Sequence, residues 1–182
     1  MDTLVYRQES ARGIGAALAS VDGAQIDAVI NAIRDAPRTF FTGAGRSLLM
    51  LKATAMAMMQ IGLPVFVTGE IVTPSIKNGD LLIAASCSGE TKSVQLFLEQ
   101  AKAVGATIII ITGNPDSAMG RLADIVLTMD FRSEPGSIQT SWVVDNRFEQ
   151  AIVPLGDCFV EFLARGRGAS DKTIFGNHAN ME

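Results

Sequence analysis

The chain has 182 residues, 48% of them hydrophobic and 19% charged, with one His, two Cys and a formal net charge of -4. One domain of that size buries roughly 70% of its unfolded surface, enough for a core without disulfides or metals as staples, and its apolar content exceeds that of disordered chains. With 15 Lys and Arg against 19 Asp and Glu, the composition argues against a nucleic-acid partner, and the few Cys and His argue against a disulfide framework or metal cluster.

Residues 1–36 read as two helices, with Leu4, Ile14, Ala17 and Leu18, then Ile26, Val29, Ile30 and Ile33, recurring near the 3.6 period. Ser20 or Asp22 caps the second, and Pro37 closes it. No secretory signal appears before Arg12, and no run approaches the ~20 uncharged apolar residues of a membrane span, so a cytoplasmic setting without membrane contact is expected.

From residue 37 to 130 the pattern becomes short apolar runs alternating with helical stretches. The runs are Thr39–Thr42, Pro64–Val67, Leu81–Ala85, Thr107–Ile111 and Ile125–Met129. Nearly continuous Val, Ile and Leu suit strands buried on both faces, so the expected fold is a single-domain α/β/α sandwich around a five-stranded parallel sheet. Helical periodicity marks Ser47–Ile61, Thr91–Val104 and Ser117–Leu122. The first of these holds Met50, Met56, Met58 and Met59, read as core or subunit-interface packing, and a homo-oligomer, dimer or tetramer, is expected. Residues 131–146 mix Pro, Gly, Ser and charge as a long loop would. The 147–182 region is expected to hold a helix over Arg147–Ala164 kinked near Pro154 and Gly156, a glycine-rich hinge over Arg165–Gly168, and a terminal segment.

Two strand-to-helix turns carry the candidate chemistry. Gly43-Ala44-Gly45-Arg46-Ser47 follows the first run, and Ser86-Cys87-Ser88-Gly89-Glu90-Thr91 follows the third. In an open parallel sheet such turns lie at the carboxyl ends of the strands, where ligands bind. Helix N-terminal amides and the hydroxyls of Ser47, Ser86, Ser88 and Thr91 would suit a phosphate, with Gly43, Gly45 and Gly89 letting the backbone come close. Arg46 and Lys92 flank the turns and would neutralise phosphate or bond sugar hydroxyls, or simply sit in solvent. Glu90 would hold a sugar hydroxyl, or be the ordinary acid of a first helical turn. Thr73, Pro74 and Ser75 are a further candidate wall. Neither turn fits a dinucleotide fingerprint or a P-loop.

The motif SCSGET resembles the Ser/Thr-rich phosphosugar loop of the SIS (sugar isomerase) domain family. Read in order with GAGRS, ITGNPDS, LADIVLTMD, RFEQA and the terminal HANME, it is similar to the 6-phospho-3-hexuloisomerases, from about Phe40 to Met181. The resemblance implies one SIS domain over residues 1–182, binding a small sugar phosphate. The implied reaction is interconversion of D-arabino-3-hexulose 6-phosphate and D-fructose 6-phosphate through an enediol, without metal or other cofactor. Another phosphosugar isomerase, or a non-catalytic phosphosugar-binding module, remains the alternative. Departures from the family are Cys87, where Gly is usual, and the segment 139–146 with Trp142, in place of a shorter Q-P-M-G-type stretch.

Such a reaction needs an acid/base group for carbon and a second for the oxygens. Glu149, by itself readable as a helix-start acid favoured by the macrodipole, takes an acid/base role by the resemblance. So does His178, by itself readable as a solvated terminal side chain, and the resemblance allows it to come from a neighbouring subunit. Which of the two deprotonates carbon stays open.

Overall fold

The structure is a computed structural model that describes residues 2–130 and 146–181. The loop expected at 131–146, with Trp142, therefore lies almost wholly outside the described residues. The elements follow the order α1 (Thr3–Ala19), α2 (Gly23–Asp35), β1 (Thr39–Gly43), α3 (Gly45–Gln60), β2 (Val65–Val67), β3 (Leu81–Ala85), α4 (Lys92–Ala103), β4 (Thr107–Thr112), α5 (Ala118–Leu122), β5 (Ile125–Thr128), α6 (Arg147–Arg167) and α7 (Asp171–Gly176).

The five strands form one parallel sheet in the order β2-β1-β3-β4-β5. The chain leaves β1 toward one edge and β3 toward the other. Because parallel crossovers are right-handed, reversing direction sends the connecting helices to opposite faces. The strand alternation follows suit. Phe41, Leu81, Ile83, Ala85, Ile109 and Ile111 join the core formed with α1, α2, α3 and α6. Phe40, Leu82, Ala84, Ile108 and Ile110 join the second core with Val94, Leu98 and Ala101 of α4 and Met119 of α5. Each such fully buried Phe, Ile or Leu contributes about 1.5–3 kcal/mol.

Asp22 caps α2 by accepting from the Ala24 N–H at 2.6 Å. Ser20, the other candidate, instead accepts from the Asp130 N–H at 2.9 Å, fastening the α1–α2 turn to the end of β5. The helix α6 corrects one expectation. It runs through Pro154 as one element and on through Arg165, Gly166 and Arg167, so the expected hinge is mostly its last turn, ended by Gly168 in the left-handed region. The proline removes one backbone donor, a loss of about 3 kcal/mol in a free helix. The buried stripe Phe148, Ile152, Leu155, Phe159 and Leu163, spaced by three or four residues, keeps the element whole. This stripe faces the core that α3 and α1 share, and it aims the first turn of α6 at the carboxyl end of the sheet. Among the described residues, no single helix is long and apolar enough to cross a membrane.

Candidate active site

The reversal of strand order between β1 and β3 is a topological switch point, where the two outgoing turns diverge and leave a crevice. A cavity of about 480 Å³ opens there, lined by Ala44 and Ser47 from the first turn and by Ala85, Ser86, Cys87, Ser88 and Thr91 from the second. Gly113 and Asn114, after β4, and Glu149, in the first turn of α6, close it. Its volume is in the range of small-molecule pockets.

The second turn is held by its own hydroxyls. Ser86, nearly buried, accepts from the Gly89 N–H through Oγ at 3.1 Å, and its Oγ lies 3.1 Å from Thr91 Oγ1. Ser88 Oγ accepts from the Glu90 N–H at 3.3 Å. Thr91 is the N-cap residue of α4, so that helix begins at the cavity, where first-turn N–H groups lack partners within the helix and favour an anion. Gly89 has φ +67° and Gly45 φ +55°, conformations that side chains rarely adopt. Gly43 serves by closeness instead, since a Cβ there would stand 3.2 Å from the Leu48 nitrogen and 3.3 Å from the Ala85 carbonyl oxygen.

The carboxylate of Glu149 is 18% exposed, and its Oε1 stands 4.0 Å from Nη2 of Arg46. Arg46 thus belongs to the Glu149 end of the crevice. Five of the residues expected from sequence, Ser47, Ser86, Ser88, Thr91 and Glu149, line one cavity; Gly43, Gly45 and Arg46 belong to the first turn but are not among the residues lining the cavity. Gly89 and Glu90 belong to the second turn but face the segment after β4. A Cβ on Gly89 would run into Ser117, and Glu90 Oε1 accepts from the Ala118 N–H at 2.8 Å. Thr73 and Pro74 are not walls of this site. They line a separate cavity of about 220 Å³ with Phe40, Thr68 and Phe97 on the other face of the sheet, while the Ser75 carbonyl accepts from Arg38.

His178 stands apart from the cavity of its own chain. Its neighbour Asn177 donates through Nδ2 to the Gln60 carbonyl at 3.0 Å, which pins the α7 end to the last turn of α3. Glu149, on α6, lies beside Arg46 in the first turn of α3, so the 16 residues of α3 put roughly 20 Å between the two ends, at 1.5 Å per residue. Gly113 and Asn114 lie in the ITGNPDS motif but are not among the site residues expected from sequence. Their further signal is positional, a third polar turn leaving a strand on the same edge of the sheet. Among the described residues, no three His, Cys, Asp or Glu gather as a metal set would require.

Comparison with known proteins places these features in a family. The profile described as SIS domain matches residues 32–144. A protein of Bacillus subtilis named 3-hexulose-6-phosphate isomerase is 33% identical over the full length of both chains. One of the same name from Mycobacterium gastri is 36% identical over 90% of this chain and 83% of its own. Among solved structures, a Methanococcus jannaschii protein, for which a 3-hexulose-6-phosphate isomerase function was inferred, superimposes with a TM-score of 0.84. It is 24% identical, with 97% of this chain and 99% of that one covered, a likeness that speaks to fold.

Proposed function

We propose that this chain, which belongs to the SIS domain family, interconverts D-arabino-3-hexulose 6-phosphate and D-fructose 6-phosphate. The observation that carries the reading is the placement of the Glu149 carboxylate in the same cavity as the hydroxyl-rich turn Ser86–Thr91. The relatives named 3-hexulose-6-phosphate isomerase, 33% and 36% identical over most of the chain, support it.

In this reading the phosphate sits against Ser86, Ser88, Thr91 and the start of α4, with Ser47 beside it. That arrangement supplies dipole and hydroxyl donors to the anion. Arg46, close to Glu149, serves the sugar oxygens. Glu149 takes the proton from carbon 2 of the 3-ketose; the C–H electron pair becomes the C2=C3 double bond, and the carbonyl oxygen on carbon 3 gains a proton. Collapse of the enediol then releases the proton of the carbon 2 hydroxyl, forms the carbonyl at carbon 2 and returns a proton to carbon 3. Only protons move and no net oxidant is consumed, so the reading includes no cofactor.

The oxygen-side acid/base group is His178 of a second copy. The separation of Glu149 and His178 within one chain supports that, and exposed apolar side chains elsewhere on the surface suit a homodimer or a tetramer. Leu49 and Met56 are exposed two turns apart on α3, Ile71 and Val72 are exposed beside Glu70, which bonds Lys52 of the same helix, and Phe175 is exposed on α7. The setting in this reading is the cytoplasm, where Cys87 and Cys158 would stay reduced. The test is turnover of fructose 6-phosphate by the purified protein, followed by coupling 3-hexulose 6-phosphate to its aldolase. Binding of the sugar phosphate without turnover would instead mark a non-catalytic module.

A further inference from the structure

The phosphate-binding turn is held by a single neighbouring segment, residues 112–119. The Cys87 carbonyl accepts from the Gly113 N–H at 3.1 Å and from Thr112 Oγ1 at 3.4 Å. The Ser88 carbonyl accepts from Asn114 Nδ2 at 3.3 Å, and the Gly89 carbonyl from the Met119 N–H at 3.1 Å. The Glu90 carboxylate accepts from the Ala118 N–H at 2.8 Å. Three successive carbonyls and one carboxylate are thus engaged by donors from residues 112–119, and Ser117 packs against Gly89 so closely that no side chain fits there.

This arrangement has an electrostatic consequence. Carbonyl oxygens facing a phosphate would repel it, and a carboxylate in the same turn would repel it more. Bonds to residues 112–119 keep these four oxygens occupied by protein donors, so they do not stand bare beside the ligand. Glu90 itself sits at the start of α5, where backbone N–H groups offset its charge.

We propose that Glu90 is a positioning residue, fastening the phosphate-binding turn to the segment after β4, and that it does not bond a sugar hydroxyl. The proposal rests on the phosphosugar reading of the cavity. It replaces the substrate-contact role expected from sequence, and it accounts for the absence of Glu90 from the cavity lining.

The test compares wild type, Glu90→Ala and Glu90→Gln in three measurements: calorimetric binding of inorganic phosphate, KM and kcat for fructose 6-phosphate, and amide hydrogen exchange of residues 87–91 without ligand. Loss of one charge-assisted hydrogen bond predicts that Glu90→Ala raises the phosphate Kd and the KM together, by about tenfold. Its kcat stays within about twofold, and exchange of the turn speeds up. Glu90→Gln keeps an acceptor oxygen for Ala118 and restores the phosphate Kd to within about threefold of wild type. A raised KM with an unchanged phosphate Kd would show a sugar contact and overturn the proposal, as would unchanged exchange in Glu90→Ala. Wild-type protein that binds no phosphate would overturn the phosphosugar reading as well, a failure separable from one seen only in the variants.

Discussion

Gly89→Ala perturbs the turn where structure and function meet, and its effect can be worked out from the geometry. Two costs add. At φ +67° an alanine is in the left-handed region, at roughly 1–2 kcal/mol. The new methyl would also lie well inside 3.0 Å of Ser117 Oγ and Cβ, so one partner must move. Ser117 is the N-cap of α5, accepting from the Gly120 N–H at 3.1 Å, and displacing a cap costs about 1 kcal/mol. The sum is about 2–3 kcal/mol. It appears as a lower denaturation midpoint if Ser117 yields, or as a roughly 30- to 140-fold higher KM if the turn yields, at about 1.4 kcal/mol per decade. Denaturant unfolding at constant m, together with the coupled isomerase assay, reads both. Ser117→Gly removes both clashing atoms while weakening the cap by only a few tenths of a kcal/mol. The double variant should therefore recover about 1 kcal/mol and leave the backbone cost. Strict additivity of the two substitutions, or a Gly89→Ala protein with unchanged midpoint and KM, would refute the close approach.

Gly156→Ala should destabilise by about 1–3 kcal/mol, because its Cβ would stand 2.7 Å from Thr54 Cγ2 across the α3–α6 contact; Thr54→Ala in the same chain should restore part of the loss in chemical denaturation. Thr54→Val keeps the shape while removing a buried hydroxyl that has no hydrogen-bond partner among the described residues. Its midpoint should equal or exceed that of wild type. Asp80→Ala should lower the stability read in chemical denaturation by about 1–2 kcal/mol. Its carboxylate is 2% exposed, pairs with Arg38 Nε at 3.0 Å and accepts from the Lys77 N–H at 2.7 Å, while the partners left behind, Arg38 at 24% exposure and Lys77 exposed, are rehydrated. Mixing Glu149→Gln with His178→Ala chains, each expected to be inactive alone, should restore about a quarter of wild-type activity, as random pairing around a two-fold axis gives one intact site per heterodimer. Recovery of none would place each site within one chain.

The sheet was legible because parallel strands buried on both faces need unbroken apolar runs. Leu81–Ala85 shows this most clearly, every residue of it being buried. The end of α6 was less legible, since Gly166 and two arginines look like a linker until the Phe159 and Leu163 stripe is seen anchoring the preceding turns. At the site, hydroxyl-rich turns announced Ser86, Ser88 and Thr91. Asn114 went unannounced because its position depends on β4 lying next to β3, a pairing no local pattern encodes. The direction of Glu90 was hidden for the same reason, its partner being 28 residues away. The sequence shows only a terminal segment where α7 forms, and nothing local in it says which end of α3 that segment packs against, the contact that sets His178 apart from Glu149.

The central claim, a carboxylate acting on a phosphosugar held by the Ser86–Thr91 turn, is met most directly by one measurement. Purified wild-type protein and Glu149→Gln are given fructose 6-phosphate, and formation of 3-hexulose 6-phosphate is followed through its aldolase. The account predicts turnover by wild type and a loss of at least about 100-fold in kcat for Glu149→Gln, with sugar-phosphate binding retained. Wild-type protein that binds the sugar phosphate but never converts it, or a Glu149→Gln variant that turns over at a near-normal rate, would contradict the account.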